Sequence, residues 1–416
     1  MDCQDMYEIA PRGGVLARIA RPVRDRLIAA WQARRNQLRY LNLDDYTRDA
    51  RRFLPRALFA YVAGSAGDGR ALAANRTAFD RWCLVPHVLR GVGGRSARTT
   101  ILGQDFAMPV GISAFGAAAV VGFDADLAMA RAARAAGVPY QLSANSITPM
   151  EEVIRANPDA WFAAYLPSSL SVIERMMART ARAGFTTLVI TVDVPVGARR
   201  EDETRARYTM PLRPSLRLAF DMLTHPRWVA GRFARTLLAR GIPHIENIAP
   251  VRGPSIFARS IGPVGGAADF NWEHIRAIRR MWRGRLVLKG ILAPDDAIRA
   301  RDIGVDGIIV SNHGARLFDS VIAPLEALPA IRQACPDMTI LLDSGVRRAG
   351  DVIKAIALGA DGVMIGRPFF FATILGGQAG LAHAIRLVAG ELDREMAFLG
   401  LLDLRESRRN RLHPRP

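Results

Sequence analysis

Lysine is nearly missing from this chain. Of its 57 lysines and arginines only Lys289 and Lys354 are lysines, so arginine holds almost every cationic position. A compact ammonium and a forked guanidinium are not interchangeable, and each surviving lysine therefore asks for a local reason. Cysteine is scarce too: Cys3, Cys83 and Cys335 lie far apart and form no CxxC pair. That argues against a disulfide framework and a zinc site, so no metal is expected, and it fits a reducing compartment. The first residues, "MDCQDMYEIAPRGG", carry Asp2, Asp5 and Glu8 and hold no apolar core of a secretory signal, so a cytoplasmic location is expected. Long hydrophobic runs are rare. Phe106 to Phe123 has 18 uncharged residues, barely a membrane span, and is interrupted by Pro109, Gly111, Gly116 and Gly122. It reads as a buried strand and loop. Nucleic-acid signatures are missing as well: no zinc-finger spacing, no RNP-like aromatic motif and no strong helix-turn-helix signal. Despite a net charge of +18, nucleic acid is not the expected partner; a solvated basic surface or an anionic membrane is.

Half of the 416 residues are hydrophobic, enough for a large core. From residue 107 onward a short apolar strand, a turn and a helix-period segment recur. Strands are expected at 109–114, 140–144, 161–165, 187–193, 285–290, 307–312, 339–345 and 362–367. Helices are expected between them, as at 124–137, 171–184, 294–304 and 350–359, and several end at glycine. Near-continuous apolar strands alternating with helices imply a parallel sheet. Eight such units imply an α/β fold, a (β/α)8 TIM barrel, with an open doubly wound sheet as the alternative. Residues 1–40 read as a basic N-terminal arm, including "RPVRDRLIAAWQARRNQLRY" (21–40), and 406–416 as a basic tail. Between them, 41–405 form the barrel domain. It carries an N-terminal helical extension that runs to about residue 106 and a long loop, 208–270, after the fourth strand. Loops of that length are functional or disordered.

Barrel chemistry sits at the C-terminal strand ends. Polar residues gather there: Ser143, Tyr165, Thr191 with Asp193, Lys289, then Ser311, Asn312, His313 and Arg316, then Asp343, then Gly366 and Arg367. "DSGVRR" (343–348) and "IGRP" (365–368) add Gly345 and Arg347. Glycine N–H groups with arginines suit a phosphate dianion.

These motifs carry a resemblance. "SNHGAR" (311–316), "DSGVRRAGDVIKAIALGADGVMIGRP" (343–368), "ITVDVPVGARRE" (190–201) and "YVAGSAGD" (61–68) resemble the FMN-dependent 2-hydroxy-acid dehydrogenase and oxidase family over roughly residues 40–405. The resemblance implies FMN as cofactor and oxidation of a 2-hydroxy acid to a 2-oxo acid. It makes Lys289 the cation beside the flavin N1 and O2 edge, which gives the lysine in "LVLKGI" (286–291) its reason. His313 becomes the base that takes the substrate proton, Asp193 its carboxylate partner, and Tyr165 the contact to the substrate hydroxyl. Tyr61 and Arg316 grip the substrate carboxylate and Arg200 joins them. Ser143, Thr191, Ser311, Asp343 and the backbone at Ala114–Gly116 meet the flavin or its ribityl chain. Gly345, Arg347, Gly366 and Arg367 hold the phosphate. This chain also departs from the family pattern. Ala163 replaces a glutamine that bonds the flavin ring, Leu317 and Phe318 alter "GGRQLD", and Ser344 replaces a glycine. Gly197 stands where the short-substrate members have a bulky residue, which suggests room for a larger, aromatic side chain.

The stretch 213–241 mixes arginines with Leu, Phe, Met and Trp, as a surface meeting anionic lipid would; a lid packed on the barrel is the other reading. "THPRW" (224–228) and "FNWEHI" (270–275) look like the loop of membrane-associated lactate and mandelate dehydrogenases. Membrane contact would place the protein on the inner face of the cell membrane and make a quinone the natural electron acceptor. The family also suggests a homotetramer. Alternatives are an oxygen-using oxidase, a diverged flavin enzyme acting on another substrate such as a peptide, and a non-enzymatic basic binding protein on a degenerate barrel.

Overall fold

The computed structural model describes residues 38–213, 215–260, 267–408 and 411–415. The basic arm expected at 1–40 lies outside the described residues except for its last three, as does Cys3. Eight parallel strands form one sheet: β1 (Val110–Ile112), β2 (Gln141–Ser143), β3 (Trp161–Ala164), β4 (Thr187–Thr191), β5 (Arg285–Ile291), β6 (Gly307–Val310), β7 (Thr339–Asp343) and β8 (Gly362–Ile365). Each pairs with its neighbours in sequence, β8 pairs with β1, and a parallel bridge between Ile112 and Tyr140 closes the ring. The structure is therefore the barrel expected from the sequence, and the open sheet is excluded.

Nearly every strand residue is buried, because helices cover the outer face and side chains fill the inner one. The helices Ala125–Ala136, Leu170–Ala183 and Pro294–Ile303 end on Gly137, Gly184 and Gly304. All three glycines are left-handed, the conformation that ends a helix without a Cβ clash. The uncharged run 106–123 is β1 and a short buried helix, Ala118–Val121, as its glycines suggested.

Three helices, Leu43–Phe53, Arg56–Ala63 and Arg70–Asp80, build the N-terminal extension. The first is capped by Asn42, whose side chain accepts from Asp45 N at 3.0 Å. A hairpin of Thr99–Ile101 and Gln104–Phe106 follows. The C-terminal stretch set apart as a basic tail contributes a strand, Leu412–Pro414, that pairs antiparallel with Trp82–Leu84.

The long excursion after β4 holds the helices Leu216–Leu223 and Arg235–Arg240, joined through one turn of α-helix and a π-helical stretch. Much of its expected lipid-facing chemistry instead packs inward. Trp228 is buried, donates Nε1–H to Val121 O at 2.8 Å and stacks on Phe233. Arg232 donates to the carbonyls of Ile374 (2.9 Å) and Leu375 (3.1 Å), just before Gly377 breaks the helical path of Arg367–Leu399. Arg240 pairs with Asp124 and Glu152. What faces outward is Leu216, Phe220, Leu223 and Leu238, with Arg213, Arg217 and Arg227. Among the described residues one helix, Arg367–Leu399, is long and apolar enough to cross a membrane, but two thirds of its apolar window is buried in the protein.

Candidate active site

A cavity of about 450 Å3 opens at the C-terminal ends of the strands, within the roughly 300–1,000 Å3 of typical cofactor and ligand sites. Of the residues expected there, Tyr61, Ala114, Gly116, Ser143, Tyr165, Thr191, Arg200, Lys289, His313, Arg316, Asp343, Gly345, Arg347, Gly366 and Arg367 all line it. Asp193 and Ser311 stand just behind, bonded to His313 and Lys289.

His313 rides on a loop bent three times into the left-handed region, at His313 (φ 56°), Gly314 (φ 66°) and Ala315 (φ 62°). Two non-glycine residues there cost free energy and persist because neighbours over-determine the turn. Ser311 Oγ accepts from His313 N, Asn312 exchanges amide hydrogen bonds with Asn75, and Arg367 donates to Gly314 O. The imidazole is thereby held between two partners. Its Nδ1 lies 3.2 Å from Asp193 Oδ1 and its Nε2 lies 3.2 Å from Tyr165 Oη. With the Nδ1 proton directed at the carboxylate, Nε2 presents its lone pair and accepts from the tyrosine. Burial pushes Asp193 up, but the facing imidazole and Lys289 outweigh it and hold the carboxyl below its ordinary range. Burial, with the Asp193 charge beside it, raises Tyr165, which stays a donor.

Lys289 stands near the C-terminal end of β5 and is 5% exposed. Its ammonium donates to Ser311 Oγ at 2.7 Å and pairs with Asp343 Oδ2 at 2.9 Å. Burial opposes its charge, yet Asp343 and Asp193 overcome that and raise its pKa. The glycine of "LVLKGI" has its own reason: Gly290 has φ 106°, and a Cβ there would come within 2.5 Å of the Asp193 side chain.

At the opposite wall, Arg316 donates to the carbonyls of Tyr61 (2.6 Å) and Gly64 (3.2 Å) and to Glu203 Oε1 (2.9 Å). Arg200 Nε lies 2.6 Å from the same Glu203 oxygen, an ion pair not aligned as a hydrogen bond. Tyr61 reaches the cavity, but its hydroxyl donates to Gly116 O at 2.7 Å, so its proton is committed to backbone. Glu203, Tyr208, Asn145 and Met210 also line the cavity and were not foreseen. Tyr208 stacks on Tyr61 at 4.7 Å between ring centres.

The end of the cavity expected to hold a phosphate is strongly cationic. Burial, then repulsion from Arg76, lowers the Arg347 guanidinium to about 10. Burial, then Arg316 and Arg347, lowers Arg367 to about 9. Both guanidiniums line the cavity, and Arg347 has Asp44 Oδ1 at 3.5 Å, so a phosphate dianion placed there would add counter-charge to a cationic group. Arg367 now donates to Val62 O, Gly64 O and Gly314 O, while Arg76 meets Gly345 O and Asp351. Arg76 sits in the N-terminal extension, where no motif marked it. These groups fit FMN: the cations Arg347 and Arg367, the Lys289–Asp343 pair and the apolar Ala163 and Met364 line one cavity.

A parallel barrel with a half-buried acid–base pair at its carboxyl rim and a cation-lined cavity of cofactor size defines a TIM-barrel enzyme. The family model for FMN-dependent dehydrogenases matches residues 50–414. (S)-Mandelate dehydrogenase of Pseudomonas putida is 33% identical over 365 residues, covering 87% of this chain and 91% of that protein. L-Lactate dehydrogenase of Stenotrophomonas maltophilia (strain R551-3) is 38% identical over 364 residues, covering 86% and 94%. The solved monotopic membrane protein (S)-mandelate dehydrogenase superposes with a TM-score of 0.82 at 32% identity, covering 90% of this chain and all of the other. The chain belongs to the FMN-dependent 2-hydroxy-acid dehydrogenase family: it is an oxidoreductase, and FMN is its cofactor.

Proposed function

We propose that this enzyme oxidises an L-2-hydroxy acid, lactate- or mandelate-like, to the 2-oxo acid. The observation that carries this reading is the placement of His313, paired with Asp193 and Tyr165, in the same cavity as the Arg200 and Arg316 guanidiniums. Arg316 and Arg200 bind the substrate carboxylate, for which a forked donor is suited. Tyr165, kept protonated by burial, donates to the substrate hydroxyl oxygen. His313 Nε2 receives the proton, from the hydroxyl or from the α-carbon, and Asp193 balances the imidazolium charge that results. FMN, when bound, accepts the two electrons and passes them on, in our reading to a membrane quinone. Lys289 supplies the fixed cation beside it. A Cβ at Gly197 would meet nothing within 4 Å, and Val194, Met210 and Ile245 line the same cavity, so an aromatic side chain has room. Anaerobic addition of L-mandelate or L-lactate to the yellow protein tests this: bleaching is expected with the L and not the D acid. No bleaching by any 2-hydroxy acid would sink the reading, and peroxide release in air would replace the quinone by oxygen.

For location we infer peripheral association with an anionic membrane through the outward Leu216, Phe220, Leu223 and Leu238 and the nearby Arg213, Arg217 and Arg227. Flotation with phosphatidylglycerol vesicles is expected for the native chain. It should be lost when the four apolar residues become serine, a change that spares the packing of Trp228 and Arg232. Retained flotation in that variant would contradict it.

A further inference from the structure

The wall that carries the two guanidiniums already contains an anion. Glu203, on the short helix Glu201–Arg205, is 8% exposed. One of its oxygens lies 2.6 Å from Arg200 and 2.9 Å from Arg316. Arg316 gives its other terminal nitrogen to the carbonyls of Tyr61 and Gly64. Two guanidiniums that share one carboxylate leave this group with a net single positive charge. That matches one substrate carboxylate. Beyond these two arginines, and apart from Lys289, Arg347 and Arg367, which are read as serving the cofactor, no other lysine or arginine among the described residues lines the cavity, and Tyr208, Val194, Met210 and Ile245 add no cation for a second carboxylate. Burying a carboxylate without a partner costs several kcal/mol or forces its protonation.

We propose that Glu203 is a specificity-determining residue, holding Arg200 and Arg316 together and setting the charge of the anion site so that 2-hydroxy monocarboxylates are accepted and 2-hydroxy dicarboxylates refused. The assignment rests on the reading of Arg200 and Arg316 as the substrate-carboxylate clamp. Glu203 touches neither substrate nor cofactor in this role; it acts through the arginines.

The test compares kcat/KM for L-mandelate or L-lactate and for L-2-hydroxysuccinate in the native holoenzyme, E203Q, E203A and E203D. Either neutral variant that folds suffices. The dicarboxylate-to-monocarboxylate ratio is expected to rise at least about tenfold in E203Q, chiefly through KM, and to stay at the native value in E203D, which keeps the charge. A fall of both substrates by the same factor, or an unchanged ratio, would overturn the proposal and leave Glu203 a mere brace. The same series is read without turnover, by titrating oxalate and acetate against the flavin absorbance of the holoenzyme. Oxalate is expected to tighten relative to acetate in the neutral variants. If no 2-hydroxy acid reduces the flavin but this anion preference still shifts, the proposed reaction fails and the charge-setting role stands.

Discussion

The two ends of the barrel are built from the same strands and do opposite things. At the floor, Ile101, Leu102 and Phe106 of the 99–106 hairpin close the ring against Trp161, Val189, Val287, Ile309, Leu341 and Met364. The Trp161 indole N–H is satisfied by Gln104 Oε1 at 3.0 Å. At the rim, Lys289 and Asp343 are buried charges, Asp193 is a half-buried one, and His313, Ala315 and Ser344 are held at positive φ. The change is made within a few residues of one strand. On β3 it runs from Trp161 through Ala163 to Tyr165; on β5, from Val287 to Lys289. The floor contributes apolar burial and no chemistry. The rim accepts strain and buried charge because the floor and the outer helices hold the strands in register.

Breaking the floor should cost stability and spare the chemistry. Trp161→Ala is expected to destabilise the fold by about 3–5 kcal/mol, read by urea denaturation, with turnover per folded molecule unchanged at low temperature. A turnover loss at unaltered stability would erase the division. The rim should behave in reverse. Asp193→Asn removes the charge that, in the proposed reaction, balances imidazolium at His313. It is expected to lower kcat about 100-fold or more, with the thermal midpoint shifted by only a few degrees.

The pH dependence sharpens the same contrast at a buried acid that the chemistry does not use. Burial raises Asp126 from 3.8 to about 6, while Ser146 and Thr148 donate to it. A carboxyl raised in the folded state binds its proton more tightly there than in the unfolded chain. It therefore contributes a stability term present below about 4 that is lost as pH rises to about 6. Asp126→Asn keeps the accepted hydrogen bonds and is expected to flatten that slope, a change of up to about 3 kcal/mol in unfolding free energy between pH 4 and 6. An unchanged slope would show that Asp126 ionises freely. The smallest effect expected is at Ala163, a methyl on the cavity floor where the family places a glutamine. Ala163→Gln should tighten FMN by about tenfold, the worth of roughly one hydrogen bond, measured by quenching of flavin fluorescence.

The barrel was legible because its strands are buried on both faces, so each reads as a nearly unbroken apolar run, and because glycine marks the helix ends. The rim was legible as a convergence of polar residues at strand ends, and the resemblance supplied the roles expected of Lys289, His313 and Arg316. Glu203, Tyr208 and Arg76 were not, since the segment 197–210 and the N-terminal helices carry no strand-end position to mark an inward side chain. Trp228 and Arg232 misled for a related reason. An amphipathic composition does not say which face turns inward, and here the tryptophan and the arginine serve backbone carbonyls in the protein, not lipid. Arg367 was expected at the phosphate, and it also ties the histidine loop to the helix that carries Tyr61.

The measurement that bears most directly on the account is anaerobic stopped-flow reduction of the flavin in His313→Asn. Substrate should still perturb the flavin spectrum on binding, because Arg200 and Arg316 are intact, while bleaching slows by about 10²–10⁴-fold. Bleaching at the native rate would contradict the assignment of His313 as the group that takes the substrate proton.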